Sequence, residues 1–449
     1  MGTLFGTDGV RGVANTEPMT AETALAIGRA VGHLCRKGEH RHRIVIGKDT
    51  RLSGYMFENA LTAGICSMGV DVLLVGPLPT PGIAFVTRNM RADAGIVISA
   101  SHNPYHDNGI KVFSRDGCKL TDDLEQQIEQ LVTSGEINSI RSSADQVGRA
   151  QRIDDALGRY IVFCKNVFPD DLSLEGTKIV LDCANGATYK AAPIIFTELG
   201  AAVTPLHCTP DGTNINQDCG SQFTRDVSDE VVRRGADIGL AFDGDGDRLI
   251  AVDETGREIT GDHLIVICAR FMQASGLLEN DLVVVTPMSN IGMRRALDDM
   301  GIRHIDAPVG DRNVLSMMLD ENATLGGAQS GHIIFRNCHT TGDGIISALH
   351  ILAVMQRTGR KLSELAAPIR IAPQVLINVD VARKPPLEEL PDVGAAVAAA
   401  EETLGEAGRV LVRYSGTQGV CRVMVEGPND TVTREVAERV ADTVRRSIG

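Results

Sequence analysis

The sequence predicts an α/β protein of several domains, closed by a smaller α+β domain. Three observations predict it. A short apolar strand, a polar loop and a helix recur in that order three times. At 449 residues the chain is too long for one compact core, and roughly three or four domains is the fair prior. After about Ala367 the texture changes to short strands and Ala/Glu-rich helix. The repeats are irregularly spaced, which suits three related domains rather than a solenoid.

The first domain is expected over 1–150. It opens with Phe5-Gly6-Thr7-Asp8-Gly9-Val10-Arg11-Gly12, a glycine-rich turn able to set Arg11 near an anion. Thr20 can cap a helix whose Ile27, Val31 and Leu34 share one face and which ends near Gly38. Arg43 to Gly47 reads as a strand running into the polar Lys48-Asp49-Thr50-Arg51, before a helix capped by Ser53. Asp71 to Val75 is a further strand, and Thr121 caps a helix with Leu124, Ile128 and Leu131 on one face. The polar run from Gly135 to Val147 reads as a linker.

A second domain, 151–254, holds the strand Lys178 to Cys183, the loop Ala184-Asn185-Gly186 and a helix, and closes with the strand Ile238 to Phe242. A third, 255–367, holds the strand Leu282 to Val285, a loop at Ser289-Asn290 and a helix from Gly292. The fourth, 368–449, holds the strand Val375 to Val379, a helix, two strands around Arg413 and a helix from Thr431.

Two loops carry chemistry. Gly95 to Ile98 is an apolar, β-branched run that delivers Ser99-Ala100-Ser101-His102 into an Asn-Pro turn, followed by Ile110 to Phe113 with one inward lysine, Lys111. Asp243, Asp245 and Asp247 alternate with glycines between two β-like flanks. Glu254 at the twelfth position completes most of a calcium EF-hand, but Arg248 replaces the required sixth-position glycine and the flanks are not helices. The trio instead suits Mg²⁺ with a phosphate oxygen in its shell. Ser101 lacks a Gly-x-Ser-x-Gly elbow, so carrying a phosphoryl group fits it better than a hydrolase triad.

The 43% apolar content and mean hydropathy near zero describe a soluble globular chain. A net charge of −14 argues against nucleic-acid or acidic-membrane partners, so an anionic substrate needs a local cluster of cations. No stretch approaches the ~20 apolar residues of a membrane helix. The N-terminus has no signal pattern, and Gly6 stands where myristoylation requires Ser or Thr. Ten cysteines without a Cys-x-x-Cys pair read as reduced thiols of a cytoplasmic protein.

Eight motifs follow one another along essentially the whole chain: FGTDGVRG, IGKDTRLSGYMFE, ISASHNPYHDNGIKVF, DCANGATY, NINQDCGS, AFDGDGDR, HTTGDG and RYSGT. In that order they resemble the α-D-phosphohexomutase superfamily, most nearly its bacterial amino-sugar branch. The resemblance implies three α/β domains and a smaller fourth around a central cleft. It also implies interconversion of glucosamine 6-phosphate and glucosamine 1-phosphate through a bound hexose 1,6-bisphosphate, supplying UDP-N-acetylglucosamine and cell-wall precursors. Ser101 becomes the phosphoserine and, with Asp243, Asp245 and Asp247, a ligand to one Mg²⁺ per chain. Lys111, Arg11 and Arg248 become cations at the transfer site, and His332 a residue of binding or proton transfer. Residues 326–332, among them Gly327, Gln329 and Ser330, become the sugar loop. Arg413, Ser415, Gly416, Thr417 and Arg422 hold the non-reacting phosphate. A homodimer is the assembly entertained.

Two departures stand out. The family's sugar loop carries Glu where this chain has Ala328, and its phosphate loop continues Glu-Pro where this chain has Gln418-Gly419. The first removes a carboxylate that hydrogen-bonds sugar hydroxyls. A phosphoglucomutase/phosphomannomutase of the same superfamily is therefore the alternative activity. A non-catalytic sugar-phosphate sensor is a third reading, against which the intact Ser101, aspartates and Arg248 speak.

Overall fold

The computed structural model describes residues 4–6, 8–415 and 419–449. Four sheets are present among them. The first contains Val10–Val13 (β1), Arg43–Lys48 (β2), Asp71–Pro77 (β3), Ala94–Ile98 (β4), Asp107–Ser114 (β5) and Ala150–Arg152 (β6), in the order β1-β5-β4-β2-β3-β6. β4 lies parallel to β2 and is buried along its whole length, as its unbroken apolar sequence requires. β5 then returns antiparallel, which turns Lys111 inward opposite Val97. The helices are Ala21–Cys35 (α1), Gly54–Ser67 (α2), Thr80–Asn89 (α3) and Asp122–Thr133 (α4). Thr20 caps α1 by accepting the Thr23 N–H at 3.2 Å. Thr121 and Ser53 precede their helices without a side-chain cap, and the Ser53 hydroxyl instead accepts from Asn108 Nδ2 at 2.8 Å.

The first sheet runs past residue 150, because β6 pairs parallel with β3 as its edge strand. Ala156–Lys165 (α5) follows and packs against α3. The second sheet is built from Lys178–Asp182 (β7), Ala202–Leu206 (β8), Ile238–Phe242 (β9), Leu249–Asp253 (β10) and Glu258–Ile259 (β11), ordered β11-β10-β9-β7-β8. β11 pairs with β10, so this sheet also runs past the expected boundary at 254. Its helices are Ala191–Glu198 (α6) and Arg225–Arg234 (α7). β9 and β10 are antiparallel neighbours, so the aspartates sit in a strand-to-strand turn.

Gly261–Ala274 (α8), Leu282–Val285 (β12), Ile291–Asp299 (α9), Arg303–Asp306 (β13), Asp311–Asp320 (α10), Leu325–Gly327 (β14), Ile333–Phe335 (β15), Gly344–Thr358 (α11) and Leu362–Ala366 (α12) form the third unit. The last is an antiparallel sheet of Gln374–Asp380 (β16), Arg409–Tyr414 (β17) and Val420–Glu426 (β18), covered by Pro391–Leu404 (α13) and Asp430–Ile448 (α14). One apolar core runs unbroken from Val45 and Ile83 through Phe196 and Leu240 to Ile265 and Leu352, so the first three units are fused through their interior. The fourth has its own core around Val423 and Val440. Among the described residues no helix is long and apolar enough to cross a membrane.

Candidate active site

β4 ends at Ile98 and hands the chain to Ser101, which has φ 52° in the left-handed region. A non-glycine residue there costs about 1–2 kcal/mol unless its surroundings hold it. Here they do. The Ser101 N–H donates to Ser99 Oγ at 2.9 Å, and Ser99 Oγ donates to Asp49 Oδ2 at 2.6 Å. Arg51, fully buried, donates to the carbonyls of Ser101 at 3.0 Å, Asn103 at 2.7 Å and Asp107 at 3.0 Å, and also to that of Pro104. Its Nε is held by Asp49 at 2.8 Å. From the second sheet's side, Asn216 Nδ2 donates to the Ser101 and Asn103 carbonyls at 2.9 and 3.0 Å.

The Ser101 hydroxyl donates to Asp243 Oδ2 at 2.6 Å. One oxygen each of Asp243, Asp245 and Asp247 lies within 4.8 Å of the others. Asp245 Oδ2 accepts from Thr80 Oγ1 at 2.8 Å and Lys111 Nζ at 3.0 Å. The Oδ1 atoms of Asp245 and Asp247 are buried without a hydrogen-bond partner. Converging hard oxygens with two unused acceptors fit a hard divalent cation. Burial, reinforced by Asp247 and Asp245, pushes the Asp243 carboxyl well above its ordinary range. Burial pushes Asp247 the same way, but its His332 hydrogen bond, Lys111 and Arg248 outweigh that and hold it low. The turn is tightly seated: a Cβ on Gly186 would lie 2.3 Å from the Gly244 carbonyl, which accepts the Ala187 N–H at 2.8 Å.

The expected cations gather at this turn. Lys111 Nζ lies 3.0 Å from Asp245 and 3.2 Å from Asp8. Burial opposes its charge, yet these two carboxylates raise its pKa. Arg11 is paired with Asp8, and Arg248 Nε stands 3.7 Å from Asp247 and 4.0 Å from Asp243 without a hydrogen bond. Burial and then Arg248 and Arg11 push the neighbouring His102 down to about 4, so its ring is neutral.

The loop expected to meet the sugar is the turn between β14 and β15. Gly331, at φ +86°, packs so closely that a Cβ would lie 2.0 Å from the Leu249 carbonyl, and its own carbonyl accepts the Leu249 N–H at 3.0 Å. Gly327 is buried, Ala328 and Gln329 are half-buried and Ser330 is exposed. His332 Nε2 accepts the Gly342 N–H at 3.2 Å and Nδ1 faces Asp247 Oδ2 at 3.5 Å. Both nitrogens are thus engaged, one by the Gly342 N–H and the other by Asp247.

Arg413 and Arg422 stand directly opposite each other on β17 and β18. Burial and the facing Arg422 lower the Arg413 pKa. Like charges placed so are unfavourable alone and suited to an anion. Ser415 is buried beside them, its N–H bonded to the Val420 carbonyl at 2.9 Å. Gly416 and Thr417 lie outside the described residues.

Sequence reasoning did not single out Asp49, Arg51, Thr80, Asn216, Asp8, Lys119 or Asp311. Lys119 is ion-paired to both Asp8 and Asp311 and so ties the first unit to the third beside the transfer site. The available signal was the polar Lys48-Asp49-Thr50-Arg51 run directly after a wholly apolar strand.

A buried serine at a carboxylate trio, ringed by cations, defines a metal-assisted phosphoryl-transfer site. The models of the phosphoglucomutase/phosphomannomutase family match in order: α/β/α domain I over 2–138, domain II over 159–256, domain III over 260–370 and the C-terminal domain over 376–443. The chain belongs to this family. It is similar to a phosphoglucosamine mutase of Syntrophobacter fumaroxidans, 58% identical over 449 residues and covering 100% of both chains. Among solved structures it resembles a phosphoglucomutase/phosphomannomutase family protein of Burkholderia thailandensis, with TM-score 0.82, 24% identity and 99% and 97% of the two chains covered. An Aspergillus fumigatus N-acetylphosphoglucosamine mutase, solved with GlcNAc-6P and magnesium, superposes with TM-score 0.67 at 17% identity, covering 99% and 95%.

Proposed function

We propose that the chain interconverts glucosamine 6-phosphate and glucosamine 1-phosphate, with Ser101 carrying the transferred phosphoryl group. The observation that carries the reading is the Ser101 hydroxyl, 2.6 Å from Asp243 and beside two unpartnered carboxylate oxygens. Full-length 58% identity to a phosphoglucosamine mutase supports the amino sugar.

In the forward half-reaction the Oγ–P bond of phosphorylated Ser101 breaks and a bond forms from the sugar's free hydroxyl oxygen to phosphorus. The hydroxyl proton ends on Ser101 Oγ. The resulting 1,6-bisphosphate turns over in the site and returns its other phosphoryl group to Ser101. Lys111, Arg11 and Arg248 bind the oxygens of the moving group, and the Arg413–Arg422 pair with Ser415, Gly416 and Thr417 holds the resting phosphate in either orientation. Gly327, Gln329 and Ser330 face the sugar, while His332 positions Asp247. Asp243, Asp245 and Asp247 with a Ser101-borne oxygen would hold one Mg²⁺, which spreads the negative charge of a loose transition state. Sugar-phosphate substrates and ten free thiols suit a reducing cytoplasm.

The test joins mass to turnover. The active protein is expected to weigh one phosphate more than its sequence, and Ser101→Ala is expected to fold but not turn over. Near-normal turnover by that variant would sink the mechanism. Ala328 favours a second reading, a wider sugar range including glucose and mannose phosphates, because a methyl stands where the family has a carboxylate. Equal kcat/KM on glucose and glucosamine phosphates is the result that would favour it.

A further inference from the structure

Outside the carboxylate trio, the second unit gathers soft donors where β7 and β8 end. Asp182 is fully buried; its Oδ1 accepts the Ala184 N–H at 2.7 Å and its Oδ2 the Gly220 N–H at 2.8 Å, so the carboxylate cannot rotate. His207 follows β8 with φ 46°, and its Nδ1 stands 3.0 Å from Asp182 Oδ2. Its Nε2 stands 3.4 Å from Asp226 Oδ2, so the ring lies between two carboxylates. Cys219, 1% exposed, brings its sulfur to the same place, and one donor atom of each residue lies within 4.8 Å of the others.

We propose that Asp182, His207 and Cys219 bind one divalent cation of the zinc class. Oxygen, imidazole nitrogen and thiolate sulfur make a borderline-soft set, three protein ligands with a fourth position open to water. Mg²⁺, which demands hard oxygens, is not suited to it. The charges close: carboxylate and thiolate neutralise the dication, and the Cys219 thiol proton and any proton on His207 are released on binding. The two amides on Asp182 do what outer partners of a metal ligand do, fixing its orientation. The site also adjoins the transfer machinery. The Ala184 carbonyl accepts the Asn216 N–H at 2.9 Å, and Asn216 holds the Ser101 and Asn103 carbonyls.

The test uses the full-length, dephosphorylated protein with its thiols reduced, titrated with Co²⁺ alone. One equivalent is expected to bind with a near-ultraviolet thiolate-to-cobalt charge-transfer band, and Zn²⁺ is expected to erase the band. Cys219→Ser is expected to abolish it. His207→Gln is expected to weaken Co²⁺ binding at least ~10-fold, and serves as the deciding variant if Cys219→Ser does not fold. Asp245→Asn is expected to leave the band intact. No band in the parent protein, a band that survives Cys219→Ser or normal affinity in His207→Gln, or a band lost in Asp245→Asn would each overturn the proposal.

Discussion

Replacing Arg51 with Lys tests whether the serine loop is held from beneath. The guanidinium reaches four carbonyls of the loop and Asp49 from a position with no exposed surface. An ammonium has three donors at one point and cannot span carbonyls arranged around a planar fork. At least two charge-assisted bonds are lost, each about 1.5–3 kcal/mol, so a loss of about 3 kcal/mol or more follows. The first three units share one core, so with about 370 residues melting together that corresponds to a Tm drop of roughly 4 °C. Turnover suffers separately. With its carbonyl released, Ser101 relaxes from φ 52°, and a displacement of ~1 Å at the nucleophile costs ~10²-fold in rate. The loss is expected in kcat, with KM little changed, because the residues proposed for the sugar and the resting phosphate lie on other units. Thermal melting, coupled turnover and intact mass, which reads the phosphoserine directly, check it. Arg51→Lys with kcat within about threefold of the parent would refute the argument, since that is under 1 kcal/mol of barrier.

Three further outcomes are expected. Asp245→Asn keeps an oxygen for Thr80 and Lys111 but removes a charge from the trio, so Mg²⁺ affinity measured by calorimetry should fall at least ~10-fold, with turnover following it. Burial pushes the Asp262 carboxyl up to about 7, so from about pH 4 to pH 7 the folded chain keeps a proton that the unfolded chain has lost, and stability falls as pH rises through that window. Asp262→Asn, whose amide oxygen still accepts the Asn290 N–H, should remove that slope, matching the parent near pH 4 and exceeding it by ~1–4 kcal/mol at pH 8 in paired melts. Ala328→Glu should restore a charge-assisted bond worth ~1.5–3 kcal/mol and raise kcat/KM on the preferred sugar by one to two decades; a fall on every sugar tested would mean the turn is built around alanine.

What was legible in the sequence was whatever lies close along the chain. β4, β7, β9 and β12 read as strands because burial on both faces leaves unbroken apolar runs. The aspartates read as a turn because their flanks are strand-like and pair with each other. What was not legible are contacts made across the chain. Asn216 meets the Ser101 carbonyl over 115 residues, and Lys119 meets Asp311 over 192. Nothing local to either residue announces such a partner. Ser53 misled for the same reason: its position is that of a cap, but Asn108 claims its hydroxyl. β6 and β11 also lay beyond composition, since they are short edge strands whose membership in a sheet is decided by pairing.

The electrostatics of the site explain how a chain of net charge −14 can receive an anion. Three carboxylates within 4.8 Å repel one another, and the fold answers with alternation rather than neutrality. Lys111 sits between Asp245 and Asp8, and Lys119 between Asp8 and Asp311, so positive and negative groups succeed each other from the second unit through the first into the third. Moving the second or third unit away from the first breaks the series, which couples their placement to the charge at the serine. The cations are not equally committed. Lys111 and Arg11 each have a carboxylate partner that a phosphate must displace. Arg248 stands at ion-pair distance from two aspartates, yet its Nε makes no hydrogen bond. A phosphoryl oxygen at Ser101 can take that N–H without breaking an existing hydrogen bond, whereas Lys111 and Arg11 must exchange a carboxylate for it.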